Sequence, residues 1–464
     1  MGQLDLLGEH TNEGNPEEPV RPDGYLRPEW LSGAWSVNAN RLAKWAALIM
    51  TVRESQQVVL RSIDESGRSE AMAKSESLAE LICVELGVFG LPFRTDIAET
   101  LIHSFVGPRP LNQQHEIDLR NERDAIVLRV APLITERDLR NPARVLAMLK
   151  ADGIDVPNTR AGQLEPFRKT HPFVDALLTW RKADRIGSTF GYHWLDEHVG
   201  SDGRLRGQWT GCDGAAGRMT ASSGLHNMPA DLRDAVRADS GWVFVHADLG
   251  QIEPRVLAAV SGDVALSAAT QSVDLYAPIA ARFGVERSVA KIAMLAAMYG
   301  QTSGVAGDVL RQMEAGYPIA MEYLRAADHA GQSGRHIRTH GGRLVRMHPE
   351  GEPLDSGAEV STPGLGPAAS SRGRYARNAV IQGAAAELFK VWAAIVRARI
   401  APREARLVMC LHDELLIHAR AVHGVEIAAI VESALPEAAA FWQRGTPVKF
   451  VADARVIDCW SQAK

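Results

Sequence analysis

Cysteine is scarce. The 464 residues carry four, Cys83, Cys212, Cys410 and Cys459, widely scattered and with no CxxC pair. That spacing argues against a zinc site or a disulfide framework and suits a reducing cytoplasm. The polar, acidic N-terminus lacks a basic-then-apolar leader, and no apolar run is expected to approach membrane-spanning length. Charge of one sign is lacking too. A net charge of −5, from 51 Lys+Arg and 56 Asp+Glu, neither demands nor forbids a polyanionic partner, so local placement decides. There is no internal repeat. The expectation is a soluble cytoplasmic chain of about two to four packed subdomains.

What is present is organised around residues 242–255, WVFVHADLGQIEPR. Trp242 to Ala247 is aromatic, β-branched and small, bounded upstream by Asp239-Ser240-Gly241, and reads as a buried strand. Asp248 closes it. From Gln251 the pattern is helical, ending near Ser261-Gly262, and Pro254 falls in the first turn, where its missing N–H has no partner to lose. An acid fixed between a strand end and a helix start is held as a metal ligand must be. Taken alone, it reads more often as a helix N-cap.

Elsewhere, residues 1–24 read as a disordered tail and residues 25–92 as a small helical region with no catalytic spacing, its boundary at Gly90-Leu91-Pro92. Residues 93–200 are helical, with breaks at Asn141-Pro142 and Pro157-Asn158, and the stretch 118–185 carries a mild basic excess. Residues 203–230 change to strands and turns. Residues 331–373 are loop-like, and a helix resumes around 374–400. A helix over 423–443 and a closing strand, VKFVADARVID, end the chain.

Two further stretches carry chemistry. After Gly284, Arg287, Lys291, Leu295 and Tyr299 recur every four residues, a slowly drifting stripe on one helix. Two cations, an apolar residue and a phenol in that order suit a nucleoside triphosphate. An isolated helix of this kind is more often simply amphipathic. Then RLVMCLHDELLIHA (406–419) places His412-Asp413-Glu414 between two apolar β runs, a second carboxylate at a hairpin tip. An ordinary Asx turn is the plain reading there. Jointly, Asp248 and Asp413 could hold two divalent ions that activate a 3′ hydroxyl and neutralise a leaving pyrophosphate, with Arg287 and Lys291 stabilising triphosphate charge.

These stretches resemble the motifs of the family A (DNA polymerase I-like) DNA polymerases, in order, over roughly residues 90–464. HADLGQIEPR resembles DYSQIELR. That implies a metal ligand at Asp248, ribose discrimination at Glu253, nucleotide contact at Gln251 and a supporting or DNA-contacting role for Arg255. RSVAKIAMLAAMYG is similar to RxxxKxxxFxxxYG, implying triphosphate binding by Arg287 and Lys291, Lys291 as a proton donor to pyrophosphate, Leu295 at the sugar and Tyr299 near the template base. LHDELL resembles VHDE, making Asp413 the second metal ligand, Glu414 an accessory acid and His412 a primer contact. AAGRMTASSGLHNMP resembles TGRLSSxxPNLQNIP, and implies DNA contacts at Arg218 and Asn227. RYARNAVIQGAAAELFK resembles the helix whose Arg, Asn and Gln recur at four, here Arg374, Asn378 and Gln382 facing template and primer.

The resemblance implies an α/β right-hand fold: thumb 93–200, palm 201–262 and 374–464, fingers 263–373, with 25–92 as an exonuclease-domain remnant. It implies a template-directed DNA polymerase acting on primer–template DNA and deoxynucleoside triphosphates, with two Mg²⁺ that Mn²⁺ can replace. A nucleoid-associated monomer is expected. The chain departs from the pattern at Leu295, where the family has an aromatic, and at Asp274-Leu275-Tyr276, where it has DIH with a phosphate-approaching histidine. The segment before Arg287 is shortened. No paired DxE strand appears in the first 90 residues, so proofreading and 5′-nuclease activity are expected to be absent. The competing expectations are a catalytically weak primer–template binder of the same fold, motivated by Leu295, and a metal phosphohydrolase built on His412-Asp413.

Overall fold

The computed structural model describes residues 14–64, 66–214, 216–300, 307–347, 367–443 and 448–463. Contacts divide the chain into two compact units, Met1–Lys74 and Ser75–Lys464. In the first, the helix Ala39–Ile63 starts where the Asn38 side chain accepts the Arg41 amide, and it continues through the weaker stretch after the amphipathic pattern. Of the tail expected over 1–24, residues 14–24 form turns closed by a Val20–Leu26 bridge. The first 13 lie outside the described residues.

Helix α1 (Arg68–Phe89) contains the boundary between the units. Within the second unit its Ala79, Ile82, Cys83 and Leu86, spaced by three and four, are buried in the main core. At the expected break, Leu91–Pro92 forms a short strand that pairs with Arg204–Leu205. Between them run the helices Thr95–Val106, Gln113–Val130, Pro142–Ala151, Pro172–Thr189 and Tyr192–His198. Asn141 caps the third of these by accepting the Ala143 and Arg144 amides, and Pro142 takes the first helical position, where proline fits best. A separate core of Val127, Val145, Leu149, Phe173 and Leu177 holds the middle three together, while Ala98 and Ile102 of the first helix and Tyr192 and Leu195 of the last belong to another core.

Strands β1 (Trp209–Asp213) and β2 (Arg218–Ala221) form a two-stranded ribbon. The central sheet follows, from β3 (Trp242–Leu249), β4 (Ala405–Leu411), β5 (Glu414–Arg420) and β6 (Ala452–Ile457), in the order β6-β3-β5-β4 and antiparallel throughout. Side chains alternate faces along each strand. Val245, Ala247, Leu249, Leu415 and Ile417 enter the main core, whereas Phe244 and Leu416 enter a second core on the opposite face with Met409 and Trp460. Both faces are covered, which is why these strands read as continuous apolar runs rather than as an alternation. By the same alternation Asp248 and Glu414 belong to the Phe244 and Leu416 face.

The helices that pack around the sheet are α2 (Ile252–Ser261), α3 (Tyr276–Phe283), α4 (Arg287–Tyr299), α5 (Pro318–Gln332), α6 (Pro367–Ile400) and α7 (Gly424–Gln443). Two expectations change here. Helix α6 starts at Pro367, well before the expected 374, and it is long and apolar enough to cross a membrane, with an 18-residue window of mean hydropathy 1.5. That window is 83% buried inside the protein, so α6 is the core helix of the fold. Two buried charges on it, Lys390 and Glu387, are held by partners. Lys390, wholly buried, reaches both carboxylate oxygens of Glu76 at 2.7 and 2.8 Å. Glu387 accepts the Gly341 amide at 2.8 Å and the Thr339 hydroxyl, which pins the hairpin Ile337–Val345 to α6.

Candidate active site

Strand β3 presents Asp248 at its end, and the helix that follows does not use it as a cap. The N-cap is Gln251, whose backbone is left-handed at φ +56°. Register places Asp248 directly across from Glu414 on β5 and from Asp453 on β6, so one rung of the sheet carries three carboxylates. Asp453 is exposed and pairs with Arg455. The sequence shows the composition of β6 but not its register, so the rung was not legible there.

The β4–β5 connection is the two-residue turn His412-Asp413, with His412 at φ +53°. Leu249 N donates to the Asp413 carbonyl at 3.0 Å, which ties the hairpin tip to the end of β3. The backbones beside the two acids are thus joined. Burial, then the charges of Asp248, Glu414 and Glu253, push the Asp413 carboxyl up to about 7.

Glu253, in the first turn of α2, is held from two sides. Tyr299 on α4 donates its hydroxyl to Oε2 at 2.8 Å, and Arg218 on β2 donates to Oε1 at 3.2 Å. Burial, then the Glu253 charge, raises the Tyr299 phenol to about 12. Helix α4 buries Ala290, Ala293, Met294, Ala297 and Met298, leaving Arg287 and Lys291 exposed and Leu295 and Tyr299 half-buried. The stripe expected every four residues is therefore the outward side of a packed helix. Arg287 is gripped by Asp274 through Nε at 2.6 Å and Nη2 at 3.2 Å, a partner that sequence reasoning had not assigned to it.

A cavity of about 330 Å³ lies between these elements. Arg218, Glu253, Gln382, His412 and Asp413 line it, five of the expected residues drawn from β2, α2, α6 and the β4–β5 turn. Phe389 of α6 supplies part of its apolar wall. Arg374 and Asn378 lie half-buried on α6, two turns and one turn before Gln382 respectively, and Asn378 Oδ1 is a buried acceptor with no hydrogen-bond partner. Asn227 is exposed at the end of the turn Leu225–Asn227, and its carbonyl accepts Arg185 at 2.9 Å.

Arg255 needs correction. A DNA contact was expected, but its side chain is wholly buried. Its guanidinium donates to the carbonyls of Gly250, Thr270, Lys449, Ser272 and Val273 and to Gln251 Oε1. It organises the backbone below the site, in keeping with the supporting role rather than the DNA-contacting one. Gln251 is likewise engaged inside the protein, donating to Asp274 at 2.8 Å and accepting the Leu275 amide at 2.8 Å.

The family model for DNA polymerase family A matches residues 143–462. The chain belongs to that family. It is 32% identical over 309 residues to DNA polymerase I of Chloroflexus aurantiacus, a match covering 60% of this chain and 31% of that protein. It is 27% identical over 331 residues to the thermostable DNA polymerase I of Thermus thermophilus, covering 65% of this chain and 38% of the relative. The chain thus spans about a third of the length of these curated relatives. Among solved structures it is similar to the POL domain of Pol1 from M. smegmatis in complex with DNA primer-template and dNTP. That match has a TM-score of 0.65 and 26% identity, and covers 84% of this chain and 70% of the other. The fold is accordingly the family A right hand of palm, fingers and thumb, with the antiparallel sheet in the palm.

Proposed function

We propose that this chain is a template-directed DNA polymerase that adds deoxynucleotides to a primer 3′ hydroxyl. The observation that carries the reading is the shared cavity of Arg218, Glu253, Gln382, His412 and Asp413. These residues come from stretches far apart in sequence, and each matches a position at which family A polymerases handle nucleotide or DNA. The hydrolase reading needs its further ligands on helices beside the pair, whereas His412-Asp413 forms a hairpin turn between strands and shares its cavity with Arg218, Gln382 and Glu253.

The donor set fits divalent cations of the Mg²⁺ kind. Asp248, Asp413 and Glu414 offer only hard oxygens, and the mutual repulsion felt by Asp413 is relieved by positive charge. Among the described residues no group of three or more His, Cys, Asp and Glu side chains forms a preformed cage. That accords with Mg²⁺, which takes one or two carboxylates and completes its shell with water and substrate phosphates. Asp248 and Asp413 would hold two such ions, which Mn²⁺ could replace, supplying activation of the 3′ hydroxyl and neutralisation of pyrophosphate.

The protein's own residues do the positioning. Arg287 and Lys291 stand one turn apart on the exposed side of α4, where both can meet a triphosphate, and Lys291 can return a proton to the leaving pyrophosphate. Leu295 offers an apolar surface to the sugar. Glu253, fixed by Tyr299 and Arg218, occupies the place under the ribose, where a 2′ hydroxyl would meet a carboxylate already committed to two donors. Arg218, Asn227, Arg374, Asn378, Gln382 and His412 contact primer and template. In this assignment residues 93–200 are the thumb, 201–262 and 374–464 the palm, and 263–373 the fingers. Proofreading is absent from the activity we propose.

The test is extension of a labelled primer on a complementary template with Mg²⁺ and four deoxynucleotides. A ladder that stops at the template end, weakens with added salt as counterion release requires, and leaves a mismatched 3′ end untrimmed supports the reading. Binding of the same DNA with no synthesis at any Mg²⁺ or Mn²⁺ level would instead identify a primer–template binder.

A further inference from the structure

Arg287 sits on the first turn of α4 with its side chain 55% exposed, where a long cationic chain ordinarily samples many rotamers. Here it is fixed on two sides. The Asp274 carboxylate takes one edge of the guanidinium, through Nε at 2.6 Å and Nη2 at 3.2 Å. The plane lies over the Tyr276 ring, 5.6 Å from its centroid. The Nη1 corner is left to face a ligand.

The clamp is itself anchored. Asp274 Oδ1 also accepts Gln251 Nε2 at 2.8 Å and the Tyr276 amide at 3.1 Å. Gln251 Oε1 accepts the Leu275 amide at 2.8 Å and Arg255 at 3.3 Å. Arg255, wholly buried, is bonded to the carbonyls of Gly250, Ser272 and Val273. An unbroken run of hydrogen bonds therefore leads from the palm backbone just beyond Asp248 to the cation on the finger helix.

We propose that Asp274 and Tyr276 are positioning residues for Arg287, holding its guanidinium by one edge and one face so that the opposite corner meets the triphosphate of the incoming nucleotide. An arginine already fixed loses little side-chain freedom when the ligand arrives, so the clamp raises affinity without touching substrate. Tyr276 stands where the resembling polymerases carry a histidine that approaches phosphate. In this chain the ring supports the arginine instead.

The inference rests on the polymerase reading, and the two are separable. Nucleotide affinity is measured by equilibrium titration of the complementary deoxynucleotide into protein bound to a dideoxy-terminated primer–template, alongside steady-state KM and kcat with an extendable primer. Asp274→Ala is expected to weaken nucleotide binding and raise KM about tenfold, with kcat within about twofold and DNA affinity unchanged. Tyr276→Leu shifts both in the same direction, Tyr276→Phe does neither, and Asp274→Glu restores part of the loss. In an Arg287→Ala background, Asp274→Ala adds nothing further, because its effect passes through the arginine. A merely structural role would instead lower kcat, DNA affinity and thermal stability together, and would add to Arg287→Ala. Wild-type extension with unchanged or tighter nucleotide binding in Asp274→Ala overturns this inference alone. A wild-type protein that neither extends primer nor binds nucleotide overturns both.

Discussion

Tyr299 and Glu253 are joined by a hydrogen bond of 2.8 Å, from a phenol at the end of α4 to a carboxylate in the first turn of α2. The other oxygen of Glu253 is taken by Arg218 at 3.2 Å. A carboxylate so fixed cannot swing aside for a ribose 2′ hydroxyl. Glu253→Ala is therefore expected to raise ribonucleotide incorporation relative to deoxynucleotide by at least about tenfold, and Tyr299→Phe by a smaller factor, since Arg218 still holds Glu253. Competition between a ribonucleotide and its deoxynucleotide in single-nucleotide extension checks this. An unchanged sugar preference in Glu253→Ala contradicts it.

Asp413 illustrates a site whose chemistry works against the fold. Burial first, then the charges of Asp248, Glu414 and Glu253, disfavour its ionised form and so work against the folded chain at alkaline pH. Asp413→Asn removes that ionisation and keeps the shape. The variant should melt at the same temperature as the wild type or higher in metal-free buffer at pH 8, while losing primer extension. A clear fall in melting temperature would show the carboxylate to be structural.

Arg255 is the opposite case. Removing its wholly buried guanidinium leaves the carbonyls of Thr270, Ser272, Val273 and Lys449 without their donors. Arg255→Ala is expected to lose about 3–5 kcal/mol of stability in urea unfolding, and Arg255→Lys most of that, because an ammonium cannot reproduce the planar fork. A loss below about 1 kcal/mol would contradict this reading of the contact set.

Stability should also depend on pH through His418. The ring, carried by β5, is buried against β3, stacked on Trp242 at 4.5 Å, and its Nε2 accepts the Asp239 amide at 3.3 Å. Burial, only partly opposed by the Asp239 charge, holds its pKa down at about 4 against an ordinary 6.5. The unfolded chain takes up a proton near 6.5 that the fold refuses until about 4. The stabilisation is therefore complete above pH 6.5 and is lost as pH falls toward 4, by up to about 3 kcal/mol. Unfolding free energies for wild type and His418→Phe should diverge across that window, the wild type falling more steeply. Parallel curves would refute the assignment.

Much of this was legible in the sequence because the strongest signals are local. A buried strand closed by Asp248, a hairpin with His412-Asp413 at its tip and a helix with cations every four residues each follow from periodicity and turn chemistry. What escaped depends on tertiary context. Helix α6 begins early, through the Ser- and Gly-containing stretch before 374, because it lies so close to α5 that a Cβ at Gly373 would collide with Asp328 and Gln332. Packing overrides propensity there. The rung that sets Asp453 beside Asp248 depends on strand register. The burial of Arg255 is not revealed by its charge, and the partner of Arg287 lies on a different element.

The central claim is that Asp248 and Asp413 act as one unit in nucleotide addition. Its most direct test is the single-turnover rate of adding one complementary deoxynucleotide to a pre-bound primer–template, for wild type, Asp248→Asn, Asp413→Asn and the double variant. Joint action predicts that each single change abolishes addition with DNA affinity intact, and that the double variant is no slower than either single one. Near-wild-type addition by either single variant, or losses that simply multiply in the double, would contradict it.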